Sequence, residues 1–313
     1  MLRRFIGILL LCSLLFACSC TENGDKSTGT VTFTDTLGRE VSVPESPKRV
    51  AALIGSFADI WMLAGGEVCA TAADAWEDFG LSLDDAVNIG GAHSPSLELL
   101  ISSNPEFVIA SASTASNLEM KDTLESMGIV VAYFDVDHFE DYLSMLKICT
   151  DITGRKDLYG QNGLAIKEQI DGIKEQYQNA DIPENERKVL LLRAASTFVK
   201  AKSSRGTVLG EMLCDMGCVN IADSDASLLE NLSVEAVIRE EPYHIFVVTM
   251  GNDTEKATKT LEKMIAENPA WSTLDAVRSE RLHIMDKKLF NLKPNARFAE
   301  AYETLSNILQ ETN

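Results

Sequence analysis

Residues 155–178, RKDLYGQNGLAIKEQIDGIKEQYQ, decide how the rest of the chain is read. The stretch has no proline, and Leu158, Ile166, Ile170, Ile173 and Tyr177 recur three, four or eight residues apart. That spacing lays one apolar stripe along an α-helix, with Lys167, Glu168, Lys174 and Glu175 mainly on the other face. At about 1.5 Å per residue the helix runs roughly 35 Å, the width of a small domain. The segments on its two sides resemble each other. The stretch therefore reads as a rigid spine between two similar lobes.

The duplication is clearest downstream of the first strands. Ser96-Leu97-Glu98-Leu99-Leu100-Ile101 leads to Pro105 and the strand-like run Phe107-Val108-Ile109-Ala110. Ser233-Val234-Glu235-Ala236-Val237-Ile238 leads in the same way to Pro242 and Ile245-Phe246-Val247-Val248. Upstream, Arg187 to Leu192 mirrors Lys48 to Leu53, and the helical run ending at Gly217 mirrors the one ending at Gly65-Gly66, for which Ser56 is the expected N-cap. Each half alternates short β-branched runs with helical runs, so each is expected to be a mainly parallel sheet covered by helices on both faces. The fold class is α/β: two similar lobes joined by one long helix, with a ligand cleft between them. The expected division is a processing segment over 1–17, a tether over 18–30, a first lobe over 31–150, a linker helix over 151–182 and a second lobe over 183–313. A β-hairpin is expected over 31–43, and a C-terminal amphipathic helix over 294–309, packed on the second lobe.

The 313 residues carry a formal net charge of −19 and 45% apolar side chains. Such an acidic chain lacks the basic surface that nucleic-acid phosphates or anionic lipid demand. Arg3 and Arg4 precede an apolar run, Phe5 to Phe16, too short to span a bilayer. It ends in Leu15-Phe16-Ala17-Cys18, which resembles the lipobox of bacterial lipoproteins and implies lipidation of Cys18 and attachment to the outer face of the cell membrane. Thr21 to Thr30 follows as a polar tether. Cys20, Cys69, Cys149, Cys214 and Cys218, an odd number so spaced, do not make a disulfide framework and read as buried free thiols.

Ligands of open α/β sheets sit beyond the carboxyl ends of the strands. In the first half those positions offer Phe57, Trp76, Phe79 and His93, suited to a large flat or greasy ligand. In the second they offer Arg193, Lys200, Lys202, Arg205, Lys293 and Arg297, a cationic wall in an acidic protein. Each of these charges alone is an ordinary surface group; together they point to an anionic ligand. Glu98 and Glu235 occupy matching places near the starts of matching helices, where the helix dipole favours a carboxylate. The sharper reading is a matched pair offered to arginines of a two-fold-symmetric partner.

Residues 31–55, 96–109, 232–248 and 268–286 resemble the periplasmic-binding family for iron complexes and cobalamin, the solute receptors of ABC importers. The resemblance implies a receptor, not an enzyme, that hands a metal chelate to a permease dimer on which Glu98 and Glu235 dock. A ferric siderophore suits the second-lobe cations; haem, for which His93 is a candidate ligand, or a corrinoid against Trp76 and Phe79, are the alternatives. Four histidines, His93, His138, His244 and His283, do not make an evident bare-metal set, so no protein-bound metal or resident cofactor is expected. No P-loop, Gly-x-Ser-x-Gly elbow, His-Glu-x-x-His helix or Cys-x-x-Cys pair argues for catalysis. A ligand sensor with a signalling partner is the other class left open.

Overall fold

The computed structural model describes residues 29–251 and 253–311. The processing segment 1–17, Cys18 and tether residues 18–28 lie outside the described residues. The two lobes are built on two five-stranded sheets. In the first, the strands run parallel in the order Val87–Asn88, Val68–Thr71, Val50–Ala52, Phe107–Ser111, Val130–Phe134. In the second, Val219–Asn220, Lys188–Ala194, His244–Thr249 and Leu282–Met285 repeat the last four places of that order, again parallel. Val199–Ala201 is the addition, antiparallel to Lys188–Ala194 through a short turn. Phe107–Ser111 and His244–Thr249 are buried at every position, as central parallel strands covered on both faces must be.

The copies agree in their end chemistry. Ser96 and Ser233 cap the helices Leu97–Ser102 and Val234–Glu240, each hydroxyl accepting a backbone N–H three residues on. Each helix is followed by a left-handed residue, Asn104 (φ 50°) and Glu241 (φ 49°), directly before a proline. Arg49 donates to the carbonyls of Ser103 and Asn104, and Lys188 to that of Glu240, so each first strand sends a cation to the carbonyl end of the paired helix. One position departs from expectation. The helix Gly55–Leu63 begins before Ser56, and its cap is Asp74, whose carboxylate accepts from the Gly55 N–H at 2.9 Å.

The spine is one helical rod over residues 156–178 with a π-helical turn at Gly160–Leu164. The turn answers the gap between Leu158 and Ile166 in the apolar stripe. Asn162 fills it, donating to the Leu63 carbonyl at 2.8 Å while its own carbonyl accepts from the Tyr142 hydroxyl at 2.6 Å. The helix Phe139–Thr153 is a separate element, ended by Gly154 at φ 74°, and the rod follows it from Lys156. The C-terminal helix Phe298–Gln310 does not rest on the second lobe alone. It lies along the spine; its Phe298 packs on Phe139 and Tyr142 of the first lobe, and its Tyr302 hydroxyl donates to Asp215 of the second at 2.6 Å. One apolar core thus runs from Val50 and Phe107 through Ile170 and Phe298 to Val189 and Phe246. A continuous core of that kind resists wide closure of the lobes.

Candidate ligand cleft

A groove of about 730 Å³ lies where the lobes meet, lined by Glu77 and Asp78 from the first lobe and Thr249, Thr254, Met285 and Lys287 from the second. Thr249 and Met285 are the last residues of their strands, and Glu77 and Asp78 follow the strand Val68–Thr71, so the groove sits beyond the carboxyl ends. A chamber of about 210 Å³ continues it, sharing Asp78 and Lys288 and adding Asp59, Phe79, Lys293 and Arg297. Outside the groove lining, Thr71 Oγ1, Asp74 Oδ1, Asp135 Oδ1, Arg193 Nε and Ser204 Oγ, in strand-end segments of the two lobes, are among the buried side-chain atoms without a hydrogen-bond partner.

The groove lining is mixed in charge on the second lobe, where Glu255 and Asp286 accompany Lys287 and Lys288, and acidic on the first, with Glu77 and Asp78; a purely cationic cluster lies at another strand end of the second lobe, outside that lining. On the second lobe, Arg193 stands opposite Lys200 in antiparallel register, so both side chains leave the same face of the hairpin, and Lys202 follows two residues later. Among the described residues, none of the three has a carboxylate within 4.0 Å. Lys200 Nζ lies 5.4 Å from the centre of the Phe198 ring. Burial lowers the pKa of Arg193; burial, then the charges of Arg193 and Lys200, lowers that of Lys202. On the first lobe, the segments after the strands (53–55, 72–86, 89–95, 111–114 and 135–138) contain Asp74, Glu77, Asp78, Asp84, Asp85, Asp135 and Asp137, and no lysine or arginine. Burial raises the carboxyl pKa of Asp74, Asp137 and nearby Asp59. Half-buried Lys293 faces Asp135, Asp137 and Asp141; burial pulls its pKa down and their charge pushes it back. One ion pair joins the walls directly, Lys287 Nζ to Asp78 Oδ1 at 2.8 Å, with both side chains largely buried.

The residues singled out from sequence divide accordingly. Phe57 does not line the cleft: it is fully buried and meets Phe134 edge to face at 6.4 Å, because its helix starts early and turns the ring inward. Trp76 is half-buried on the short helix Asp74–Glu77. Phe79, Lys293 and Arg297 come together in the smaller chamber, but Arg297 is exposed and already forked onto Glu300, both contacts at 2.7 Å. Arg193 and Lys202 stand together, whereas Arg205 is exposed. His93 is exposed on the turn between Gly90–Gly91 and Ser94–Pro95. Sequence reasoning missed Glu77, Asp78, Thr249, Thr254, Lys287 and Lys288. The signal was there, in polar residues at strand ends, but it does not differ from ordinary surface until the facing loop is known. Cys69, Cys149, Cys214 and Cys218 are free thiols, and the described residues hold no group of three or more His, Cys, Asp or Glu placed for a metal ion.

Away from the cleft, Glu98 and Glu235 are both exposed, each in the first turn of a serine-capped helix. Ser233 Oγ donates to Glu235 Oε2 at 3.1 Å.

The periplasmic binding protein model matches residues 50–289, which takes in both sheets, the spine and the groove. The chain belongs to the periplasmic binding protein family. It is a binding protein, not an enzyme. Bacillus subtilis YfmC, the Fe(3+)-citrate-binding protein, is 24% identical over 297 residues, covering 90% of this chain and 87% of its own length. Bacillus subtilis YhfQ, whose name describes an ABC transporter substrate-binding lipoprotein, is 23% identical over 312 residues, covering 95% and 94%. Among solved structures, the Bacillus subtilis petrobactin-binding protein YclQ superposes with a TM-score of 0.70 at 17% identity, over 91% of this binding protein and all of YclQ. Staphylococcus aureus IsdE, complexed with heme, gives 0.70 at 16% identity, over 84% and 99%. These structural likenesses establish the two-lobed fold.

Proposed function

We propose that this binding protein is a lipid-anchored, extracytoplasmic receptor of an ABC importer and that its cargo is an anionic iron chelate, foremost a ferric siderophore. The observation that carries the reading is the trio Arg193, Lys200 and Lys202: three cations on one face of a hairpin at the strand ends, without carboxylate partners among the described residues. An uncompensated, partly desolvated positive patch lowers its free energy by accepting anionic oxygens, and arginine's fork suits carboxylate or phenolate pairs. The names of YfmC and YhfQ support chelate and importer in turn. The lipobox-like Leu15 to Cys18 supports the anchor, and Glu98 and Glu235 are the proposed contacts with a permease dimer. Boundaries at residues 31–150, 151–182 and 183–313 are proposed as the working division into lobes and linker.

The test is a titration of the purified protein with ferric citrate, a ferric catecholate, haem and cyanocobalamin, read by tryptophan quenching and absorption bands. Saturable, salt-weakened binding of a ferric chelate is the expected result. Salt-independent binding of cyanocobalamin alone, or a ligated haem spectrum, would replace the siderophore by those cargoes.

A further inference from the structure

The Asp78–Lys287 pair lies inside the groove, not on its rim: Asp78 lines both chambers and Lys287 the larger one. Its members are 209 residues apart in sequence, and the 2.8 Å contact is the direct ion pair between the lobes among the described residues. The side chains are 22% and 15% exposed, so neither charge is fully screened by water. Asp78 belongs to a lobe whose strand-end segments contain no cation, and Lys287 to a groove wall where Lys288 is the other cation and Glu255 and Asp286 are the other charges. A first-lobe carboxylate thus occupies a second-lobe ammonium across the groove.

We propose that Asp78 is a specificity-determining residue: a built-in carboxylate that engages Lys287 across the groove and that an anionic ligand must displace to reach that ammonium. This rests on the reading of the groove as the ligand site. Two consequences follow from charge alone. A carboxylate- or phenolate-bearing ligand gains Lys287 only by leaving Asp78 with water or with a donor of the ligand, so every anionic ligand binds against the same opposing contact. A ligand bearing a cationic or strongly hydrogen-bond-donating group beside its anionic one satisfies both partners at once and is favoured over a purely anionic ligand of the same size. Asp78 therefore selects against uniformly anionic chelates, which Lys287 and Lys288 without it would welcome.

The test uses Asp78→Asn, Lys287→Met and the double variant of the mature protein, with ferric citrate as the anionic probe and cationic ferrioxamine B as the contrast. Asp78→Asn is expected to tighten ferric citrate by roughly five- to tenfold, the scale of one partly buried ion pair, and to weaken or leave unchanged ferrioxamine B. In the Lys287→Met background Asp78→Asn is expected to change ferric citrate affinity by less than about twofold, because the effect of Asp78 passes through Lys287. Unchanged or weaker ferric citrate binding by Asp78→Asn overturns the inference, as does an undiminished effect in the Lys287→Met background. A thermal-unfolding cycle on the same ligand-free variants covers the case in which no probe binds. That outcome sinks the chelate reading, and the latch is then judged by the melts: non-additive losses in Tm uphold an interlobe contact that a ligand would have to break, and additive losses remove it.

Discussion

Replacing Arg193 by methionine separates two effects of one side chain. The guanidinium is half-buried at the end of the strand Lys188–Ala194, its Nε has no partner, and burial already presses its pKa downward. A buried, unpaired charged donor costs about 1–3 kcal/mol. Because part of this guanidinium still reaches water, about 1 kcal/mol is the appropriate share, and methionine of similar length removes it without leaving a void. For a protein of this size that raises Tm by about 1–2 °C. The same change removes one charge-assisted contact to an anionic ligand, about 1–3 kcal/mol, or roughly five- to 150-fold in Kd. Scanning calorimetry of the free protein and a ferric citrate titration at two salt concentrations read both effects. The expected result is a more heat-stable protein that binds more weakly and with a shallower salt dependence. A fall in Tm would mean that Arg193 has a structural partner, and unchanged affinity would remove it from the site; either refutes the reasoning.

The double change Glu98→Ala with Glu235→Ala, on two exposed first turns, should leave ligand affinity and Tm nearly unchanged while abolishing iron-chelate uptake by cells; persisting uptake would refute the docking role. His244 and His283 meet at 3.0 Å through Nδ1 and Nε2, packed with Phe246 and Tyr243 and faced by Arg281 and, for His283, Glu311. Burial lowers both pKa values, that of His244 to about 4, so between pH 6.5 and 4 the unfolded chain binds protons that the folded one refuses. Stability is then full above about pH 6.5 and falls as pH drops towards 4, by about 2–3 kcal/mol for His244. Urea melts across that range should show the slope, and His244→Asn should flatten it. Asn295, fully buried with φ 52°, donates to the Ser56 carbonyl at 2.9 Å and to Asp59 at 2.8 Å across the lobe junction. Asn295→Ala should cost about 2–3 kcal/mol in denaturant melts, since it strips buried Asp59 of its donor; a loss below about 0.5 kcal/mol would show that the junction does not depend on it.

Periodicity and duplication are properties of local sequence, and they carried most of the fold. The spine, the paired serine-capped helices, the strands before and after them and the hairpin near residue 31 each announce themselves within a few residues of their own positions. Even the π-turn left a trace, the eight-residue gap that Asn162 fills. The cleft was legible only as a set of strand ends and a surplus of cations. Phe57 and Arg297 were indistinguishable by type from Phe79 and Lys293. What separated them was a two-residue shift in a helix start, with one ring buried in the core, and a glutamate one turn away, which neutralised one guanidinium.

The sequence by itself determined an acidic α/β chain written twice about a stiff rod, because hydrophobic period and turn chemistry act over a few residues. Tertiary structure alone decided which charges confront each other. Asp78 and Lys287 meet across 209 positions, and Arg193 and Lys200 share a face because a hairpin folds back. Whether a charge is paired, desolvated or free depends on what lies within a few ångströms of it, and that distance is set by how the lobes pack.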